Sequence, residues 1–301
     1  MRKPLITGGT VFVSQYIAKY FVAKGDQVTV LNRNTRPQVP GVRLIQADRH
    51  DLNGYLSENV FDAVIDVTAY NARDIEDLYV HLRYEGPYIL ISSSAVYPET
   101  GIQPFVEEAP LGLNRYWKTY GTDKMAAEQA LLARDPQAYI LRPPYLYGPG
   151  NNVYREAFVF DCALQERPFY LPCDGSMPLQ FFYIEDLCRL IERILDMRPA
   201  KHIYNTGNPE PISVLDWVAL CYDIAGKKLS LINVDPAIEQ RAYFSFYPYA
   251  YQLDVSRQSQ LLSDLTPLKE GLKQSFDWYL QHPDEVQKKP FMHFIDENLC
   301  L

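Results

Sequence analysis

The chain has 301 residues, 47% of them hydrophobic, and a net charge of −8. Its length suits one large α/β domain with a smaller lobe, or two modest domains. The negative charge argues against a general nucleic-acid binder, because such proteins need a basic surface to neutralise phosphates.

The first half of the chain alternates predicted strands and helices. Apolar runs predict strands at residues 4–7, 27–31, 43–46, 63–67, 88–92 and 138–141, and amphipathic stretches predict helices at 11–24, 52–58, 72–84 and 116–133. This alternation is typical of a parallel sheet covered by helices on both faces. Polar groups that follow these strands should meet at one edge of the sheet, where ligands bind.

After Pro149 the pattern changes to shorter elements with more proline and aromatic residues. We predict helices at 156–165, 184–196, 214–225 and 268–281, and a polar, aromatic tail at 282–301 that wraps the surface. We therefore expect a domain at residues 1–150, to which about 180–205 returns, and a substrate-binding lobe with the tail at 151–301.

Gly8, Gly9 and Thr10 separate the first strand from the first helix. Glycines at this turn let a helix N-terminus approach a pyrophosphate, although an ordinary structural turn also explains so short a run. Asp48 follows the third strand, where it could accept from an adenine amino group or cap a helix. Further cofactor contacts are predicted at strand ends and in the glycine loop, namely Phe12, Val13, Arg49, Thr68, Ala69, Tyr70 and Pro143.

The second strand is followed by Asn32, Arg33 and Arg36. An acidic residue at this place would bind a ribose 2′-hydroxyl, whereas Arg33 and Arg36 could hold a 2′-phosphate. This pattern favours NADP over NAD, and a solvated loop with two ordinary arginines is an equally good interpretation.

Tyr120 and Lys124 are four residues apart in a predicted helix and therefore share one face. We expect the ammonium to lower the pKa of the phenol. With a serine from the end of the strand at 88–92, this pair could remove a proton from an alcohol while hydride leaves its carbon. A surface pair without a catalytic role is the alternative.

Six motifs occur in order along the chain, at residues 7–10, 92–97, 120–124, 141–149, 174–176 and 182–186. Together they resemble the extended short-chain dehydrogenase/reductases, specifically the NAD-dependent epimerase/dehydratase group that acts on nucleotide sugars. The resemblance covers residues 5 to about 257. It implies a Rossmann-type doubly wound sheet, NAD or NADP as cofactor, a sugar or sugar-nucleotide substrate and often a homodimer. It also implies a catalytic set of Ser93, Tyr120 and Lys124, with Lys124 bonded to the nicotinamide ribose.

The chain departs from that family at three places. Val11 replaces a glycine near the pyrophosphate, as in relatives with an atypical Gly-Gly-Thr-x-Phe loop, some of them plastid RNA-associated. Tyr145 replaces an asparagine that meets the substrate diphosphate, and Leu179 lies where the family has an arginine. Other groups must then contact the substrate, and we predict Ser94, Tyr145, Asn152, Arg155 and Arg241.

Ala95 narrows the reaction that the resemblance implies. Dehydratases of the family carry an acid–base pair just after the strand-end hydroxyl, decarboxylating members a glutamate, and deoxysugar epimerase-reductases a cysteine. Ala95 leaves simple redox at one carbon, in a 4-epimerase or an NADP-dependent ketoreductase. A non-catalytic NAD(P)-binding regulatory or scaffold protein is the alternative from another class.

Other sequence features predict a cytoplasmic protein without a metal. The five cysteines have no short paired spacing, so free thiols in a reducing compartment are expected. The five histidines are scattered without ligand spacing. No signal peptide precedes the first strand and no apolar run reaches membrane-spanning length, so no membrane partner is expected.

Overall fold

The computed structural model describes residues 1–300. The strands are β1 (Pro4–Thr7), β2 (Thr29–Asn32), β3 (Arg43–Gln46), β4 (Ala63–Asp66), β5 (Tyr88–Ile91), β6 (Tyr139–Arg142), β7 (Tyr145–Tyr147), β8 (Phe169–Pro172), β9 (Pro178–Leu179), β10 (Phe181–Tyr183), β11 (Ile203–Asn205), β12 (Ile212–Ser213) and β13 (Leu231–Val234). The α-helices are α1 (Phe12–Ala23), α2 (Ala72–Tyr79), α3 (Thr119–Arg134), α4 (Glu156–Leu164), α5 (Ile184–Met197), α6 (Val214–Ile224), α7 (Gln240–Tyr243), α8 (Ser256–Ser259), α9 (Leu268–Gln281) and α10 (Phe291–Asn298).

A seven-stranded sheet in the order β11-β6-β5-β4-β1-β2-β3 forms the centre of the molecule. Every neighbouring pair is parallel, with Ile6 opposite both Val30 and Ile65. Strands β1, β4, β5 and β6 are buried along their whole length because their apolar runs are covered on both faces. The prediction of a doubly wound parallel sheet is confirmed. The strand order reverses at β1, and this is where such sheets bind ligands at their carboxyl edge.

Residues 181–205 lie against the central sheet and its helices. Strand β10 pairs with β7, and β11 adds the outermost strand beside β6. Helix α5 lies against α1, where Tyr20 Oη donates to Glu192 at 2.6 Å.

The predicted helix at 52–58 is wrong, because this segment forms turns. Leu52 and Leu56 are buried at helical spacing, which produced the prediction. Asn53 and Gly54 have φ angles of 34° and 85°, which an α-helix does not contain. The predicted helix at 72–84 ends earlier, at Tyr79.

The C-terminal tail packs into the lobe and also reaches the glycine loop. Phe291, at the start of α10, is 2% exposed and stacks on Tyr154 with ring centroids 5.9 Å apart. The Gln287 N–H donates to the Asn152 carbonyl at 2.9 Å, which fixes the segment before α10 beside the loop after β7. In residues 1–300, no helix is both long and apolar enough to cross a membrane.

Candidate active site

A cavity of about 750 Å³ lies at the carboxyl edge of the sheet, between the sheet and the C-terminal lobe. It brings together predicted residues from both halves of the chain, namely Gly8, Thr10, Phe12, Val13, Thr68, Tyr70, Ser93, Ser94, Tyr120, Lys124, Pro143, Tyr145, Asn152 and Arg155. Four aromatic residues that the prediction did not select also line it, namely Tyr116, Trp117, Tyr247 and Tyr251. The aromatic run around residues 243–251 was the signal for the last two.

The glycine loop has the geometry that a pyrophosphate site requires. Gly8 and Gly9 have φ angles of 90° and 93°, and a Cβ at Gly8 would lie 2.8 Å from Ser14 Oγ. The Asn32 side-chain amide donates to the Gly8 carbonyl at 2.6 Å and holds the turn. Helix α1 begins directly after it, and Val11 at its N-cap has no side-chain hydrogen bond to the free N–H groups. Those N–H groups and the helix dipole favour an anion, so the loop fits a dinucleotide despite Val11.

The arginines after β2 lie outside the main cavity. Arg33 is largely exposed and 4.0 Å from Asp48, so the two charges face each other. Arg36 lines a smaller cavity of about 290 Å³, shared with Val11 of the glycine loop and with Asp284 and Glu285 of the tail. The choice between NAD and NADP therefore stays a prediction.

Ser93 and Tyr120 meet on the wall of the main cavity. Ser93 follows β5, and its Oγ accepts from the Ala95 N–H at 3.1 Å. Tyr120 is 41% exposed. The pKa of its phenol is raised, chiefly by partial burial, and hydrogen bonding to Ser93 and the charge of Arg155 oppose only part of this rise. The expectation that Lys124 lowers this pKa below its usual value is not met, because the ammonium is held elsewhere.

Lys124 is held by two backbone carbonyls, one from the loop after β4 and one from the end of β5. Its Nζ donates to the Ala69 carbonyl at 2.7 Å and to the Ile91 carbonyl at 2.9 Å, and it lies 4.9 Å from the centre of the Tyr70 ring. The residue is only 2% exposed, and this burial lowers the pKa of Lys124 to about 8. Ala69, which was predicted to contact the cofactor, therefore binds the Lys124 ammonium through its carbonyl.

Arg49, predicted to contact the cofactor, is bonded inside the protein. Its guanidinium donates to Asp66 at 2.9 Å and to the Asp74 carbonyl at 2.7 Å. Asp66, at the end of β4, is fully buried and was missed by the sequence analysis. Burial favours a higher pKa for Asp66, but Arg49, Thr7 and Tyr88 together hold this pKa below its usual value. The only signal in the sequence was a carboxylate ending an otherwise apolar strand.

One side of the cavity, which we call the substrate side because the predicted substrate residues Ser94, Tyr145 and Arg155 line it, combines aromatic rings with a cation. A second cation lies nearby. Ser94 Oγ donates to Tyr251 Oη at 3.2 Å. Arg155 lies 4.9 Å from the centre of the Tyr145 ring and donates to the Leu146 carbonyl at 3.3 Å.

The second cation, Arg241, lies behind this wall rather than on it. It lies 4.6 Å from the Tyr247 ring centre and donates to the Ser245 carbonyl. Burial and the nearby charge of Arg155 lower the pKa of Arg241. Within residues 1–300, neither guanidinium forms a salt bridge within 4.0 Å; Glu239 bonds only to the backbone N–H of Arg241, at 3.4 Å. This side of the cavity therefore carries positive charge that no ion pair within the protein neutralises.

Proteins similar in sequence to this chain include a plant stem-loop binding protein and a bacterial deoxysugar reductase. The chain is 26% identical over 244 residues to the chloroplast stem-loop binding protein of 41 kDa b of Arabidopsis thaliana, spanning 75% of this chain and 64% of that protein, which is less than two thirds of its length. It is 24% identical over 335 residues to a dTDP-4-dehydro-6-deoxy-D-allose reductase of a Streptomyces species, spanning 93% of this chain and 97% of that protein.

A solved structure with the same fold is the UDP-glucuronic acid 4-epimerase of Bacillus cereus, in complex with UDP-glucuronic acid and NAD. It aligns with a TM-score of 0.72 at 19% identity and covers 93% of this chain and 99% of that one. The sequence model of the NAD dependent epimerase/dehydratase family matches residues 4–207 of this chain. That match includes the glycine loop and the serine, tyrosine and lysine of the cavity, so the chain belongs to the NAD-dependent epimerase/dehydratase family.

Proposed function

We propose that this protein is an NAD-dependent enzyme that performs a 4-epimerase-type reaction at one alcohol carbon of a nucleotide sugar. The observation that carries the proposal is the single cavity that Gly8, Ser93, Tyr120, Lys124 and Arg155 share. The glycine loop, the Tyr120 phenol and the Arg155 guanidinium line this one cavity, which supports a joint site for cofactor and substrate.

Each of these residues has a role that follows from its position. The loop at Gly8 and Gly9, with the start of α1, holds the pyrophosphate. Lys124 donates its remaining N–H to the nicotinamide ribose. When bound, an oxidised dinucleotide would supply the hydride acceptor. Tyr120 exchanges a proton with the substrate oxygen, and the Ser93 hydroxyl bonds the same oxygen.

The two arginines support a nucleotide sugar as the substrate class. Arg155 lines the cavity and Arg241 lies behind Tyr247, both without a carboxylate partner in the described part of the chain. A substrate diphosphate would bind to Arg155 in the cavity, and the charge of Arg241 behind the wall would add to the attraction. The aromatic rings of Tyr247 and Trp117 offer flat surfaces for a base or a sugar.

A ketoreductase is the second candidate, and one observation favours it. Burial raises the pKa of the Tyr120 phenol, which favours its use as a proton donor to a ketone oxygen. One relative that aligns along nearly its whole length is named as a reductase. Dehydration is not proposed, because Ala95 offers no acid–base group after Ser93. Nucleic-acid binding is not proposed either, given the net charge of −8.

The first test is a thermal-shift measurement with NAD and with NADP. A dinucleotide at about 100 times its Kd should stabilise the protein by about 2.7 kcal/mol. If neither nucleotide raises the Tm, the proposal is wrong. Incubation with UDP-glucuronic acid or UDP-glucose then separates the candidates, since a 4-epimerase forms the epimer without net NADH, whereas a reductase consumes a reduced dinucleotide with a ketone.

Tyr120→Phe is the matched variant for this assay. Loss of the acid–base group should reduce turnover by about 10²–10⁴-fold. The Tm shift with the dinucleotide should persist, because the glycine loop and Lys124 are unchanged. Full turnover in Tyr120→Phe would exclude the mechanism, and unchanged binding without any turnover in the wild-type protein would favour a non-catalytic scaffold.

A further inference from the structure

The carboxylate of Asp66 is buried behind the side of the cavity that Gly8 and Lys124 line, which we call the cofactor side. Asp66 accepts from Arg49 at 2.9 Å, from Thr7 Oγ1 at 2.6 Å and from Tyr88 Oη at 2.6 Å. These donors come from β1, β5 and the segment after β3, and Asp66 itself ends β4. The carboxylate is therefore fixed from several sides and has no freedom to change its orientation.

Asp66 is connected to Lys124 through the backbone of one residue. Its Oδ1 accepts from the Ala69 N–H at 3.1 Å, and the Ala69 carbonyl accepts from Lys124 Nζ at 2.7 Å. The Ile91 carbonyl accepts a second N–H of the ammonium. An ammonium has three donors, so this arrangement leaves one N–H for a ligand in the cavity.

The surroundings of Lys124 contain charges of both signs. Burial lowers the pKa of Lys124, and Asp66 is the group that acts most strongly against this effect. Glu128, which is bonded to Arg142 at 2.6 Å, also favours the ammonium, but less strongly than Asp66 does. The charged and titratable groups that face Lys124 are Asp66 from β4, Arg49 from the segment after β3, Asp74 from α2, Glu128 from α3 and Tyr70 from the loop after β4.

We propose that Asp66 is a positioning residue for Lys124, which holds the ammonium in place through Ala69 and favours its charged form. The inference rests on the proposed role of Lys124 in binding the nicotinamide ribose. Arg49 fixes the Asp66 carboxylate by bonding both to it and to the Asp74 carbonyl of α2, and its positive charge opposes the Lys124 ammonium less than Asp66 favours it. Neither residue touches the substrate or the reacting atoms.

The test is the titration of the Lys124 side chain by heteronuclear NMR of the full chain labelled at lysine, with the signal assigned from its loss in Lys124→Met. The wild-type midpoint should lie at about 8. Asp66→Asn should move it down by about one pH unit, because the opposing negative charge is lost while Arg49 remains. Tyr88→Phe is the matched control, since it removes one hydrogen bond to Asp66 but keeps the charge, and its midpoint should not move.

Equal shifts in Asp66→Asn and Tyr88→Phe, or no shift in Asp66→Asn, would overturn the inference. If Asp66→Asn does not fold, the double variant Asp66→Asn with Arg49→Gln leaves no unpaired buried charge. Its midpoint should also fall, because Asp66 acts on Lys124 more strongly than Arg49 does.

Calorimetry with NAD from about pH 6 to about pH 9 gives a second readout. The dissociation constant should begin to rise at a lower pH in Asp66→Asn than in the wild-type protein, because an uncharged Lys124 is a weaker donor. Failure of the wild-type protein to bind NAD would overturn the proposed function alone. An unchanged Lys124 midpoint in both the single and the double variant would overturn the role of Asp66 alone.

Discussion

Basic side chains lie at both sides of the cavity, Arg155 on its wall and Arg49 and Arg241 behind it. Their charges are balanced differently on the two sides. On the cofactor side, Arg49 is paired with the fully buried carboxylate of Asp66. On the substrate side, Arg155 and Arg241 lie over aromatic rings and bond to carbonyl oxygens. Within residues 1–300, the guanidinium group of neither arginine forms a salt bridge within 4.0 Å.

We infer from this difference that the charge of Arg49 stabilises the fold, whereas the charges of Arg155 and Arg241 are available to attract a ligand. A buried ion pair is complete within the protein, so removing one partner leaves an uncompensated charge. Arg155 and Arg241 repel each other until an anion arrives, and carbonyl dipoles and ring faces only partly replace that anion. We therefore expect changes on the cofactor side to affect stability first, and changes on the substrate side to affect binding first.

The largest expected effect on stability is that of Arg49→Met. It leaves Asp66 buried without its partner and should lower the free energy of unfolding by about 3–5 kcal/mol. Arg155→Met, the matched change on the substrate side, should stay within about 1 kcal/mol of the wild-type protein. Urea unfolding of both variants gives the comparison, and equal losses would show that the two sides do not differ.

A smaller effect is expected on substrate binding. Arg155→Gln should weaken the binding of UDP-glucuronic acid by about 10–100-fold, since a hydrogen bond to a charged group contributes about 1.5–3 kcal/mol. Arg134→Gln, an exposed position at the end of α3, is the control and should bind normally. Calorimetry measures both, and equal affinities would remove the argument for a diphosphate at Arg155.

The smallest effect concerns Glu156, which follows Arg155 in the chain. Burial raises the pKa of Glu156, and its Oε2 has no hydrogen-bond partner in the described residues. Because the pKa of Glu156 is higher in the folded protein than in the unfolded chain, ionisation of this carboxyl destabilises the folded state. The destabilisation grows as the pH rises above the usual pKa of 4.5. Glu156→Gln should therefore stabilise the protein by about 1 kcal/mol at neutral pH, and the gain should vanish below about pH 4.5. Thermal unfolding against pH measures it, and a loss of stability at pH 7 would contradict it.

The sequence predicted the sheet well because its signal is local. Apolar runs of four residues, each followed by a polar or small residue, mark β1, β4, β5 and β6 without any knowledge of contacts. Leu52 and Leu56 show the limit of that signal, since two buried leucines at helical spacing also occur in a series of turns. Only the positive φ angles of Asn53 and Gly54 distinguish the two.

The site could be predicted only in part, because its partners come from distant segments. The spacing of Tyr120 and Lys124 placed both on one helix, and both line the cavity. That spacing could not show that Lys124 is held by carbonyls after β4 and in β5. The pairing of Arg49 with Asp66 depends on the order of β3 and β4 in the sheet, which no local pattern records.

The small cavity that the tail and the glycine loop line together can form only late in the synthesis of the protein. The ribosome synthesises Gly8 and Val11 among the first residues, whereas the tail segment with Asp284 and Glu285, which lines a cavity with Val11, follows only after the whole sheet and lobe. Gln287 is joined to Asn152 and Phe291 to Tyr154, so the tail takes its place only once both of those partners exist. A nascent chain that already has its complete sheet therefore still lacks one wall of the cavity beside its glycine loop.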